Sequence, residues 1–127
     1  TVVLISLVAA VVMAIRGVRF SKEKIKANFL AQEGLEWVRT RRGSLGWADF
    51  ADLATAAGAT YCLKDLSFGQ IGACGTNDLV GTIFTRELVL SAVGSDGVKA
   101  VVLVSWDDGG RTFVSEIQTT LRQWEVN

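Results

Sequence analysis

The sequence predicts an α+β fold in which one long N-terminal helix packs on an antiparallel sheet of three or four strands. Three observations carry this. Residues 1–15, TVVLISLVAAVVMAI, hold no charge and no proline, and their apolar side chains fall on every side of a helix. Over residues 16–42 apolar positions recur among charges at helical spacing, so the same rod continues as an amphipathic helix. Beyond residue 82, β-rich runs over 83–93, 98–106 and 112–121 are separated by Gly94-Ser95-Asp96-Gly97 and Asp107-Asp108-Gly109-Gly110, which read as hairpin turns.

The first part of the rod has no face suited to water, so Val2, Val3, Leu4, Ile5, Leu7, Val8, Val11, Val12 and Ile15 need lipid or other chains around them. As a helix it spans about 22 Å, short of the roughly 30 Å hydrocarbon core of a bilayer. No basic region or small-residue cleavage site marks it as an intact secretory signal. In the second part, Ala27, Leu30, Ala31, Gly34 and Val38 form one seam of mostly small residues, with Phe20 in line and Leu35 and Trp37 flanking. Small side chains let another element lie close, so this seam is expected against the sheet. Val18, Ile25 and Phe29 form a second seam on the opposite side, which a helix packed only on its own domain does not need. Gly17 weakens the rod where its greasy and charged parts meet, and Arg41-Arg42-Gly43 reads as its end, with glycine as the cap. The expected division is a protruding half, 1–26, and a head, 27–127.

Net charge is zero, but it is unevenly placed. Residues 16–42 carry eight Lys/Arg against three acids, and residues 43–127 carry five against ten. The neck is thus +5 and the head −5, a separation expected to steer head-to-neck contacts between copies; the plainer reading is a solvated helix surface or a patch for anionic lipid. With two cysteines and no histidine, the chain lacks the ligands for a mixed cysteine and histidine zinc site or for four cysteine ligands. Cys62 and Cys74 are close enough in sequence to close a small loop, worth roughly 3 kcal/mol as a disulfide in an oxidising compartment. The other reading is a pair of unrelated buried thiols.

Residues 44–80 are irregular and rich in glycine and alanine. A short helix is expected over 47–53 and a first strand over 59–64. Gly69, Gly72 and Gly75 lack the Lys-Ser/Thr and the strand-to-helix context of a phosphate loop. Alternation then puts Phe84, Leu88, Leu90 and Ala92 on one face of the next strand. Val98, Ala100, Val102, Val104 and Trp106 share a face of the third, and Phe113, Ile117 and Leu121 share one of the last. Asp107 and Asp108 sit in a turn without the spaced oxygen ligands of a calcium loop.

Ala31-Gln32-Glu33-Gly34-Leu35-Glu36-Trp37-Val38-Arg39 resembles the A-Q-E-G-L-E-x-V-R sequence of bacterial pilin-like proteins of the minor-pilin, pilus-modification type. The half from Phe84-Thr85-Arg86 through Val104-Ser105-Trp106 to Thr120-Leu121-Arg122-Gln123-Trp124 is similar to their closing strands. The resemblance to type IV pilins and pseudopilins implies an extracellular fimbrial filament whose core is made of packed N-terminal helices. It also implies storage in the inner or cytoplasmic membrane before assembly, a prepilin peptidase and pilus assembly machinery as partners, and roles in adhesion, motility, DNA uptake or secretion. Two departures stand out. The family starts with an aromatic residue or methionine and has a glutamate soon after, whereas residues 1–15 hold no acid; residues are therefore expected to precede Thr1, unless the subunit is of a tip type. A preceding basic leader would also reverse the orientation that the basic neck otherwise sets. The family often has a proline near mid-helix, whereas this chain has none, and Gly17 is the expected point of local melting, around residues 14–18, in an assembled filament.

Without histidine, paired acids or a nucleophile motif, the sequence offers no catalytic site, cofactor or metal centre, so no enzyme is expected. Nucleic acid is not expected as the primary ligand, because the basic neck around Phe20 and Phe29 is partly buried on assembly. The expectation is a structural subunit that self-associates or co-assembles with other pilins. Its rival is a monomeric membrane-anchored extracytoplasmic binding domain.

Overall fold

The computed structural model describes residues 2–75, 79 and 82–124, with side chains from residue 6 onward. Its elements are α1 (Val2–Leu45), α2 (Trp47–Ala51), β1 (Ala59–Cys62), β2 (Thr85–Val93), β3 (Gly97–Asp108) and β4 (Arg111–Arg122). The strands form one antiparallel sheet in the order β1-β2-β3-β4, and α1 lies across it, an α+β arrangement.

The alternation read in the sequence sets the register. Tyr61, Leu88, Val102 and Ile117 are paired in one row, and Ala59, Leu90, Ala100 and Thr119 in another. The core is the layer between this sheet face and the helix: Ala27, Ala31, Leu35 and Val38 against Leu88, Leu90, Val98, Ala100, Val102, Val104, Trp106 and Leu121, closed by Phe50, Leu63 and Phe84. The β3–β4 turn is the pair Gly109-Gly110, both at positive φ, which gives a two-residue hairpin the twist its strands need.

Several boundaries differ from expectation. β2 begins at Thr85 rather than at residue 83, and β3 takes in Gly97, Asp107 and Asp108, which read as hairpin-turn residues in the sequence, because their pairing with β4 continues to Asp108 and Arg111. Gly43 does not cap α1; the helix runs on to Leu45 and is broken at Gly46, whose φ is +81°. The positive φ that ends the helix falls on the second glycine, Gly46, and not on Gly43; one turn earlier Arg42 donates to the Arg122 carbonyl and lies over Trp47, with 5.7 Å from its guanidinium to the ring centroid, which ties the end of α1 to the end of β4. The short helix stops at Ala51 rather than at residue 53, and β1 stops at Cys62 rather than at 64. Pairing nevertheless continues one step, because Leu63 N donates to the Arg86 carbonyl at 2.8 Å. On the outer side of β1, Cys62 N donates to Gln70 O (2.9 Å) and Gly72 N to Thr60 O (2.8 Å), so the segment around Ile71 covers that edge. Cys62 and Cys74 form a disulfide, Cα to Cα 4.8 Å, that staples this segment to the sheet.

Candidate assembly surface

The helix leaves the head at an aromatic cluster. Phe20 lies edge-on to Phe113 at 4.9 Å between ring centroids and 6.4 Å from Trp106, and Phe84 meets Trp106 at 5.7 Å. Trp106 Nε1 donates to Glu23 at 3.2 Å, and Arg19 reaches Glu23 (3.4 Å) and Asp108 (3.5 Å). Contact with the sheet thus begins at Arg19 and Phe20. Asp107 and Asp108, expected in the turn, close the end of β3 and are engaged in the fold: Asp107 accepts from Thr112 Oγ1 at 2.6 Å and Asp108 pairs with Arg19. Among the described residues no three potential metal-ligating side chains converge.

N-terminal to this cluster, residues 6–19 are all exposed. Leu7, Val8, Val11, Val12, Ile15 and Val18 are 41–64% exposed and Met13 72%. The side chains of Val2, Val3, Leu4 and Ile5 lie outside the described residues. The helix is continuous through Gly17 in the single chain, whereas the melting expected there concerns an assembled filament. Among the described residues no helix is long and apolar enough to cross a membrane.

Past the cluster the two sides of α1 part. Ala27, Ala31 and Val38 are at most 1% exposed and Leu30 is half-buried, while Ile25 and Phe29 stay 68% and 62% exposed on the opposite side. At Gly34 the helix comes so close to the sheet that a Cβ would meet Val102 Cγ1 at 3.1 Å and Arg86 Cδ at 3.2 Å. The structure therefore places the small-residue seam on the sheet and leaves the Val18, Ile25 and Phe29 seam in line with the bare rod. Soluble monomers rarely leave contiguous apolar surface of this extent uncovered, which makes the rod and its outward seam the candidate assembly surface.

Residue-by-residue reasoning passed over Arg86. Its residue is 2% exposed; Nε donates to Leu63 O (3.3 Å), and Nη1 donates to Leu30 O (3.1 Å) and to Glu33 (2.9 Å). This one guanidinium ties α1, β2 and the segment after β1 together, and its hydrogen bonds are what make its burial tolerable. The signal was available, since alternation through Phe84, Leu88 and Leu90 puts residue 86 on the same buried face. Cys74 Sγ lies 3.1 Å from the Arg86 carbonyl oxygen, a contact rather than a hydrogen bond because a disulfide sulfur has no proton.

No protein-family model, curated protein or solved structure matches the chain.

Proposed function

We infer that the chain is a structural subunit of an extracellular filament of the type IV pilus kind, assembled by packing N-terminal helices of many copies, or of this chain with other pilins, in the filament core. The observation that supports this is a single continuous helix with two fates: residues 6–19 expose apolar side chains on every side, while the seam from Ala27 to Val38 is seated on the chain's own sheet. A rod apolar all round needs like neighbours all round. Outside the membrane, each large side chain kept from water in such a core contributes roughly 1.5–3 kcal/mol, which holds the filament together once the rod has left the lipid; the exchange of lipid for like neighbours supplies packing rather than this transfer energy. Before assembly the rod is lodged in the membrane, and the sequence resemblance supplies the peptidase and the assembly machinery as partners.

Electron microscopy of sheared extracellular material, labelled with antibody to the head, tests this. Labelled filaments are expected, and Val11→Lys should abolish them while the head stays folded. Confinement of the chain to the membrane fraction as a monomer would overturn the reading in favour of an anchored binding domain.

A further inference from the structure

Two hollows follow one another along one side of the protruding helix. The lower, about 310 Å³, is lined by Val11, Ala14, Ile15 and Val18 and is almost wholly apolar. The upper, about 500 Å³, lies between the helix and residues 82–84 and is lined by Lys22, Glu23, Lys26, Thr82, Ile83 and Phe84. Val11, Ile15, Val18, Lys22 and Lys26 are spaced by four, three, four and four residues, so they form one stripe along the helix. A shallow apolar strip on the bare helix thus leads to a pair of ammonium groups.

The other polar groups of the upper hollow are committed within the fold. Glu23 accepts from Trp106 and from Arg19, and Thr82 Oγ1 donates to Leu79 O (2.8 Å) while it accepts from Phe84 N (3.2 Å). Lys26 Nζ lies 6.0 Å from the Phe84 ring centroid, but neither Lys22 nor Lys26 has a carboxylate partner among the described residues. Lys22 and Lys26 lie four and eight residues beyond Val18, about 6 and 12 Å along the axis at 1.5 Å per residue. With the hydrocarbon edge at Val18, where the apolar hollow ends, their flexible stems lean back toward the helix N-terminus and bring both ammonium groups to a headgroup layer roughly 5–7 Å deep.

We propose that this stripe holds one anionic phospholipid, with an acyl chain along Val11 to Val18, the phosphate between Lys22 and Lys26, and the glycerol region against Ile83 and Phe84. The site rests on the reading that the apolar half is lodged in a membrane before assembly. It separates Lys22 and Lys26 from Arg16 and Lys24, which also lack carboxylate partners among the described residues but project from the other side of the helix.

Binding of the purified full chain to vesicles of phosphatidylcholine alone, and of phosphatidylcholine with one part phosphatidylglycerol, tests the site by flotation. Tighter binding to the anionic vesicles is expected. Lys22→Gln with Lys26→Gln should weaken that binding about 25-fold, about fivefold for each lysine, and leave binding to neutral vesicles unchanged. Arg16→Gln with Lys24→Gln should weaken it clearly less, and excess inorganic phosphate should not displace the vesicles. Equal losses from the two pairs, displacement by phosphate, or no preference for the anionic vesicles would overturn the site and leave membrane storage standing. Binding to neither vesicle would overturn both.

Discussion

Substituting Gly34 by alanine sets two effects of known direction against each other. Alanine in place of a helical glycine contributes roughly 0.5–1 kcal/mol through backbone entropy. Against this, the new Cβ would sit 3.1 Å from Val102 Cγ1, 3.2 Å from Arg86 Cδ and 3.6 Å from Leu63 Cδ1. Neither of the two nearest groups can easily yield: Val102 is fully buried on a strand paired on both sides, and the Arg86 guanidinium is fixed by Leu30 O, Leu63 O and Glu33. Overpacking of this kind costs about 1–3 kcal/mol, so Gly34→Ala should be destabilising by up to about 2 kcal/mol. Gly43 is the internal control. It lies in the same helix with nothing within 4 Å of an added Cβ, so Gly43→Ala keeps the propensity gain and lacks the clash. Thermal unfolding of the detergent-solubilised chains, followed by circular dichroism, should place Gly43→Ala above the parent and Gly34→Ala below it. For a head of this size each kcal/mol is worth about 4–8 °C. If Gly34→Ala melted with Gly43→Ala, the close seating of α1 on β2 and β3 would be wrong.

The chain has one tyrosine, so its phenolate absorbance reports Tyr61 alone. Burial raises its pKa above 10.0; the native state therefore holds the phenol proton more tightly than the unfolded state, and this contribution is complete below pH 10 and lost as pH rises through the native pKa. An absorbance midpoint at or below 10.0 in the native chain would contradict that burial, and Tyr61→Phe, which removes the 2.6 Å bond to Leu53 O, should cost about 1 kcal/mol in urea unfolding. Replacing Cys62 and Cys74 together by serine should cost about 3 kcal/mol, read from the urea midpoint, and reduction of the native disulfide should be slow because both cysteines are buried. Arg86→Leu should cost about 3 kcal/mol by leaving two carbonyls without their donor. Glu33→Gln should cost less than about 1 kcal/mol, because that carboxylate is 41% exposed; equal losses would show that the ion pair rather than the carbonyl bonds holds α1.

Much of this arrangement follows from local pattern. The apolar residues between Val2 and Ile15 and the small seam from Ala27 to Val38 mark one helix with two environments, because a 3.6-residue period either closes an apolar face or fills the whole circumference. Alternation in residues 83–121 marks three strands and their shared face, because a strand's side chains have period two. The Gly109-Gly110 pair marks the turn, and Gly34 falls within the seam where the helix lies close.

Other features had no local cause. By local pattern Gly43 and Gly46 are both eligible helix ends, and the structure puts the positive φ on Gly46; the bond from Arg42 to the Arg122 carbonyl, 80 residues away, has no local signature at all. The backbone bonds of residues 70 and 72 with β1 have no periodic signature, since they depend on where Cys74 is stapled. Arg86 is legible as an arginine on a buried face, but the carbonyls and carboxylate that make its burial affordable come from α1 and from the segment after β1. The sequence by itself determined the helix, the strands and which faces are apolar, because those depend on neighbours a few residues apart. Only the tertiary structure decided where the rod leaves the head, which charges are spent inside the fold, and that Lys22 and Lys26 remain beside the hollow of Val11 to Val18, because those depend on groups that folding alone brings together.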